Sequence, residues 1–124
     1  MAKHNDLGVL GESIASKYLQ NKGFSIITTN FRTYYGEIDV IAEKSRELHF
    51  IEVKTVWRVT KQDTTDHHRP EDNVHYKKLE RLYRTIEIYM SEQGMSDRKW
   101  KLMLITVKYD SVDKKALVKM LEIV

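Results

Sequence analysis

Two short alternating stretches with a polar break between them constrain this chain more than any other feature. Residues 36–43 read Gly-Glu-Ile-Asp-Val-Ile-Ala-Glu, and residues 48–56 read Leu-His-Phe-Ile-Glu-Val-Lys-Thr-Val. Both are rich in the β-branched and aromatic residues that fit a pleated, half-buried surface. The break Lys44-Ser45-Arg46-Glu47 predicts an antiparallel hairpin with a four-residue loop. In that register Glu43 faces Leu48, Asp39 faces Glu52 and Glu37 faces Lys54. Side chains alternate along a strand, so Glu37, Asp39, Glu52 and Lys54 share one face. Ile38, Val40, Ala42, Ile51 and Val53 share the other, which is the core face.

Directly opposed residues have Cβ atoms roughly 4.5–5.5 Å apart. Two carboxylates at that separation can reach one small cation. Without a cation they repel, so the pair is expected to bind a metal or to carry a raised carboxyl pKa. The donors are oxygens, which suits magnesium better than zinc. Lys54 follows Glu52 by two residues, and its ammonium can approach an attacking water and a phosphate oxygen. The chemistry expected of such a set is phosphodiester hydrolysis. A plainer reading also fits: a strand pair solvated on one face, with Glu37 and Lys54 as a cross-strand ion pair. The facing carboxylates weigh against it.

The rest of the chain frames this hairpin. Residues 6–22 predict a helix with Asp6 as N-cap, a stripe of Leu7, Leu10, Ile14 and Tyr18, and Gly23 as a left-handed stop. Gly8 and Gly11 allow something to approach that helix closely. Residues 24–30 predict a first strand. Residues 57–71 read as a polar exposed loop containing the sole proline, Pro70. Residues 71–93 predict a second helix with Leu79, Leu82, Tyr83, Ile86, Tyr89 and Met90 inward, ended by Gly94. Residues 100–109 and 116–124 predict two final strands. The order is α-β-β-β-α-β-β, a single α/β domain over residues 1–124 with a central mixed sheet flanked by helices.

Composition bounds the function. The 124 residues include 21 Lys and Arg against 18 Asp and Glu, a mildly basic balance that does not by itself establish nucleic-acid binding. No cysteine is present, which excludes disulfides, Cys-based zinc sites and thiol catalysis. The N-terminal Met-Ala-Lys-His-Asn-Asp lacks a signal-peptide apolar region, and no apolar run approaches a membrane span. A cytoplasmic protein with no membrane partner is expected.

Three blocks carry a resemblance. They are Gly11-Glu12 with Ala15, Tyr18-Leu19 and Gly23-Phe24; Asn30-Phe31-Arg32 leading into Gly36-Glu37-Ile38-Asp39-Val40-Ile41-Ala42; and Phe50-Ile51-Glu52-Val53-Lys54-Thr55. Together they resemble the YraN-like family of bacterial proteins, which has the restriction-endonuclease-like fold. Its PD-(D/E)XK signature is an Asp on one strand and Glu-x-Lys on the next. Archaeal Holliday-junction resolvases share a similar layout, with an acid on the first helix. The match is good over residues 8–55. Val74, Lys78, Arg81 and Leu82 fit the second-helix pattern more loosely.

The resemblance implies Asp39, Glu52 and Val53 at a magnesium (or manganese) site, Lys54 as the catalytic lysine, and Glu12 and Glu37 as further carboxylates. Helical geometry independently sets Glu12 at the border of the apolar arc, beside Ala15 and Leu19. Lys78, Arg58 and Arg32 are candidates to contact DNA. Two departures stand out. Val56 occupies a place where the family usually has arginine, and Arg58 comes later. The strand Trp100-Lys101-Leu102-Met103-Leu104-Ile105 lacks the family's acid.

His67, His68 and His75 lack metal-ligand spacing and read as surface histidines. Arg58, Lys61 and Arg69 could meet a phosphate backbone, but Asp63, Asp66, Glu71 and Asp72 dilute that patch. Trp57, Tyr34 and Tyr35 are candidates for base stacking or for packing at strand ends. The expected function is a metal-dependent DNA endonuclease, extended by the resolvase analogy to branched or repair intermediates and to a homodimer. The alternative is a nuclease-fold nucleic-acid-binding or scaffold protein with little catalysis. A third, weaker reading is a structural partner protein.

Overall fold

The alternating stretches resolve into the expected order. Helix α1 spans Lys3–Asn21, β1 Ser25–Arg32, β2 Glu37–Lys44, β3 Glu47–Arg58, α2 Tyr76–Glu92, β4 Trp100–Asp110 and β5 Lys115–Glu122. The computed structural model describes residues 3–58 and 76–124. Val74, His67, His68, His75 and most of the predicted loop, with Lys61 and Arg69, lie outside the described residues. Trp57 and Arg58 belong to β3 rather than to that loop.

The strands form one sheet in the order β1-β2-β3-β4-β5. All neighbours are antiparallel except β3 and β4. A parallel pair cannot be closed by a tight turn, and α2 lies in the connection between these two strands. Among the described residues, no helix is long and apolar enough to cross a membrane.

The two helices cover opposite faces of the sheet. Ala15 and Leu19 of α1 pack with Val40, Ala42, Ile51, Met103, Ile105 and Val107. Leu82, Ile86, Tyr89 and Met90 of α2 pack with Ile38, Ile41, Leu48, Phe50 and Leu102. The buried line of α1 is Gly11, Ala15 and Leu19, with Ile14 and Tyr18 flanking it, so the inward face is turned slightly from the predicted stripe. Gly11 explains the turn. A Cβ there would lie 1.9 Å from Thr55 Oγ1, so only glycine lets α1 come this close to β3. Helix α1 also starts before Asp6, which is therefore inside the helix and not its N-cap. No glycine or proline precedes Asp6 to stop the helix from extending.

Both helices end as predicted, on glycines at positive φ, Gly23 at 92° and Gly94 at 65°. Phe24 N–H donates to Leu19 O and Gly23 N–H to Gln20 O, which ties off carbonyls the helix leaves free. Met95 and Gly94 repeat the arrangement on Met90 and Ser91.

The hairpin keeps the predicted register but not the predicted loop. Val40 pairs with Ile51, Ala42 with His49, Glu43 with Leu48 and Lys44 with Glu47. The turn is therefore two residues, Ser45 and Arg46, with φ of 53° and 66°. Two successive left-handed residues match the twist of the flanking strands, as a type I′ turn does. Arg98 donates to the Arg46 carbonyl at 3.0 Å and also meets the Glu43 carboxylate.

A second difference positions the site. The β2–β3 ladder ends at Val40↔Ile51. Meanwhile β2 stays paired with β1 as far as Arg32↔Glu37, and β3 stays paired with β4 as far as Arg58↔Asp110. The two strands thus fork just beyond Val40 and Ile51. Ile38 packs in the α2 cluster together with Ile41, whereas Val40 and Ala42 pack in the α1 cluster. Strict alternation would have put Ile38 with Val40, so the pleat is broken at Asp39.

Candidate active site at the fork

Asp39 and Glu52 stand on the two arms of the fork, one residue past the last ladder pair. They are not ladder partners themselves. The Asp39 carboxylate reaches across and accepts the N–H of Val53 through Oδ2 at 2.7 Å. A side chain has replaced a main-chain carbonyl as the acceptor, and this is the local reason the ladder stops. Val53 enters the site by its N–H, while its side chain packs against the α1 cluster.

Asp39 is held above the usual carboxylate range, at about 7. Burial is the largest cause, because it disfavours the charged form. The charge of Glu52 comes next, and Glu12 and Glu37 add to it; the Val53 hydrogen bond opposes them. A raised carboxyl pKa is one of the two outcomes expected of such a pair. Among the described residues, no three His, Cys, Asp or Glu side chains converge closely enough to hold a metal ion by themselves. A dication at the fork would take at most two carboxylates, with main-chain and water oxygens completing its shell. That is an ordinary arrangement for magnesium.

The remaining residues fall around this pair. The Glu52 side chain is only 13% exposed and Lys78 Nζ of α2 contacts its Oε2 at 2.5 Å. Lys78, the candidate phosphate contact, meets the candidate metal ligand. Lys54 lies two residues beyond Glu52 on the regular β3–β4 ladder, so it shares the Glu52 face. It is exposed, and among the described residues it has no ion pair. The expected Glu37–Lys54 cross-strand pair does not form, because the fork separates those positions. Glu37 pairs with Arg32, its neighbour in β1, at 2.9 Å. Arg32 is therefore also engaged, and the Glu37 hydrogen bond raises its pKa. Arg58 continues β3 opposite Asp110.

Asn30 links the carboxylates. With its amide nitrogen turned toward them, it donates to Glu12 Oε1 at 3.2 Å and to Glu37 Oε2 at 3.1 Å. It sits at φ 54°, a conformation asparagine adopts more readily than most residues. Glu12 is thus brought to the site from α1, as its place on the helix border suggested.

A model of the uncharacterised protein family UPF0102 matches residues 11–114. This chain belongs to that family. The UPF0102 family is the YraN-like family that the three motif blocks resemble. A UPF0102 protein of Campylobacter jejuni subsp. doylei is 38% identical over 105 residues, covering 85% of this chain and 86% of the relative. One from Alkaliphilus metalliredigens is 39% identical over 89 residues, covering 72% and 73%. One from Flavobacterium psychrophilum is 39% identical over 90 residues, covering 73% and 71%.

The structure of this UPF0102 chain adds residues that the sequence did not single out. Thr33 closes the β1–β2 turn, its hydroxyl accepting from the N–H groups of Tyr35 and Gly36. The Thr33 and Thr85 hydroxyls lie 3.3 Å apart, which fixes the turn to α2. A threonine in the second helix and another beyond the first strand give no pattern by which either could be found. Trp57 lies tilted against Tyr109 at 4.9 Å between ring centroids and stays 41% exposed.

Proposed function

We propose that this chain is a metal-dependent endonuclease that hydrolyses DNA phosphodiester bonds at the fork between β2 and β3. One observation carries the reading: two carboxylates, Asp39 and Glu52, flank the point where two paired strands part, and one of them is a half-buried carboxyl held near neutral pKa. The donor set suits a hard dication, so Asp39 and Glu52 would hold magnesium or manganese, with a Val53 main-chain oxygen as a further candidate. Bound there, the ion supplies Lewis-acid polarisation of the phosphate. Lys54 offsets charge that develops on the phosphate and orients the attacking water. Glu12, Glu37 and Asn30 hold the edge of the site. Branched or repair DNA as substrate, and a homodimer matched to it, rest on the resolvase analogy, and fold alone does not fix substrate.

The test joins activity to binding. Asp39→Ala and Lys54→Ala should each abolish magnesium- or manganese-dependent cleavage while leaving the unfolding transition in place. Calorimetry should show metal binding lost in Asp39→Ala but kept in Lys54→Ala. A protein that cuts no linear, flapped or branched DNA and takes up neither metal would contradict the proposal.

A second reading has its own observation. Lys78 already pairs with Glu52, which suits a nuclease-fold protein that binds nucleic acid and does not cut it. Binding would then survive Asp39→Ala and Glu52→Ala and weaken with salt as phosphate contacts do. Binding indifferent to salt would count against it.

A further inference from the structure

A groove of about 740 Å³ opens beside the fork, between the β1–β2 turn and the first turns of α2. Its walls carry Tyr35 on one side and Tyr76, Lys77 and Arg81 on the other, and it shares Glu37 and Lys78 with the fork. We infer that this groove seats an unpaired stretch of DNA strand next to the bond to be cut. The inference rests on the nuclease reading for its orientation, but not for its chemistry.

Charge favours a polyanion. Among the described residues the one carboxylate that lines the groove, Glu37, is already paired with Arg32. Among the described residues, Lys77 and Arg81 have no ion-pair partner of their own. Beyond Tyr35 a second hollow of about 440 Å³ carries Glu87 and Glu92, so a phosphate backbone is favoured in the first groove and opposed in the second.

Stacking favours unpaired bases. Tyr76 is 76% exposed and Tyr34, at the turn tip, is 96% exposed, so both rings are open to a stacking partner. Arg84, a lining residue of the second hollow, sits over the Tyr35 ring at 5.2 Å. The turn that carries Tyr35 is fixed by Thr33 to its own main chain and to Thr85 on α2. Held this firmly, Tyr35 loses little freedom on binding. In a duplex the base faces are already stacked on one another, so only an unpaired strand can offer them to Tyr35 and Tyr76.

The experiment uses the full chain without divalent metal, so that nothing is cut. Fluorescence anisotropy compares a labelled mixed-sequence single strand of about 20 nucleotides, enough to span a single site, with the blunt duplex of the same sequence. The single strand should bind at least about tenfold more tightly, and Tyr35→Ala or Tyr76→Ala should each weaken it by about tenfold with duplex binding unchanged. Tyr35→Phe and Tyr76→Phe should bind as the wild type does, which separates stacking from misfolding. Arg81→Ala should lower the salt slope by about 0.7, the share of one phosphate contact. Equal affinity for the two DNAs, or alanine variants that bind the single strand like the wild type, would overturn the inference. A protein that passes this test yet cuts nothing keeps the groove and loses the nuclease reading. One that cuts blunt duplex and ignores the tyrosines does the reverse.

Discussion

Lys78 on α2 holds Glu52 on β3 in a 2.5 Å ion pair, and the charge of Glu52 is one of the causes that raise Asp39. The ammonium does for Glu52 what a dication would do for both acids. Metal and Lys78 therefore compete for Glu52. Lys78→Met should raise magnesium affinity by a few-fold to about tenfold, as expected when a competing charge is removed from a partly buried carboxylate. Titration calorimetry on the two proteins measures it; equal or weaker affinity in the variant would show that the two cations do not compete.

Asp39 makes metal-free stability depend on pH in a definite direction. Its carboxyl is raised from 3.8 to about 7 on folding, so the folded chain holds that proton more tightly than the unfolded one. The stabilisation is complete below the unfolded value and is lost as pH rises through the folded one. Asp39→Asn keeps an acceptor for Val53 N–H without the charge. It should be the more stable protein above pH 7, by more than about 1 kcal/mol, with the advantage shrinking toward pH 4. Burial lowers the pKa of His49, which works in the opposite sense as pH falls through its unfolded value. Urea midpoints for both proteins across pH isolate Asp39, because His49 is common to them.

Gly11 should be intolerant where Gly8 is not. A Cβ at Gly11 would meet Thr55 Oγ1 at 1.9 Å, whereas one at Gly8 meets nothing within 4 Å. Gly11→Ala should cost about 1–3 kcal/mol by forcing α1 off β3. Gly8→Ala should gain up to about 1 kcal/mol from helix propensity. Pairing Gly11→Ala with Thr55→Ala should restore part of the loss. Thermal unfolding of these three variants and of Thr55→Ala alone tests the close approach that also brings Glu12 to the site.

The Ser45-Arg46 turn holds two non-glycine residues at left-handed φ. Replacing them with Asn-Gly should stabilise the chain by about 1 kcal/mol, since that dipeptide suits the same turn with less strain. Denaturant unfolding measures the gain, and a loss would mean that the Arg46 side chain matters more than its backbone.

The register of the hairpin was legible because the polar break is centred between Ser45 and Arg46, and any loop symmetric about that point pairs Glu43 with Leu48. The turn was not, because Lys-Ser-Arg-Glu has none of the glycine or asparagine that marks a two-residue loop; shortening the loop symmetrically left the register intact. The fork was also hidden. It depends on a carboxylate taking the Val53 N–H from a main-chain carbonyl, and a strand pattern cannot report that exchange. For the same reason strict alternation puts Ile38 on the wrong face. Glu12 was legible from helix geometry and motif together. Lys78 was legible as a residue near the site, but its partner was not, since nothing in a single helix says how it crosses the sheet beneath.

The fork is tested most directly by one cleavage panel. Labelled linear, flapped and branched DNAs are incubated with the wild type and with Lys54→Ala, each with magnesium, manganese or a chelator. The wild type should cut at least one of these DNAs in either metal and none in chelator, and Lys54→Ala should cut none while unfolding at the wild-type midpoint. Cleavage that persists in chelator, or that Lys54→Ala performs as well as the wild type, would show that the chemistry does not reside at Asp39, Glu52 and Lys54.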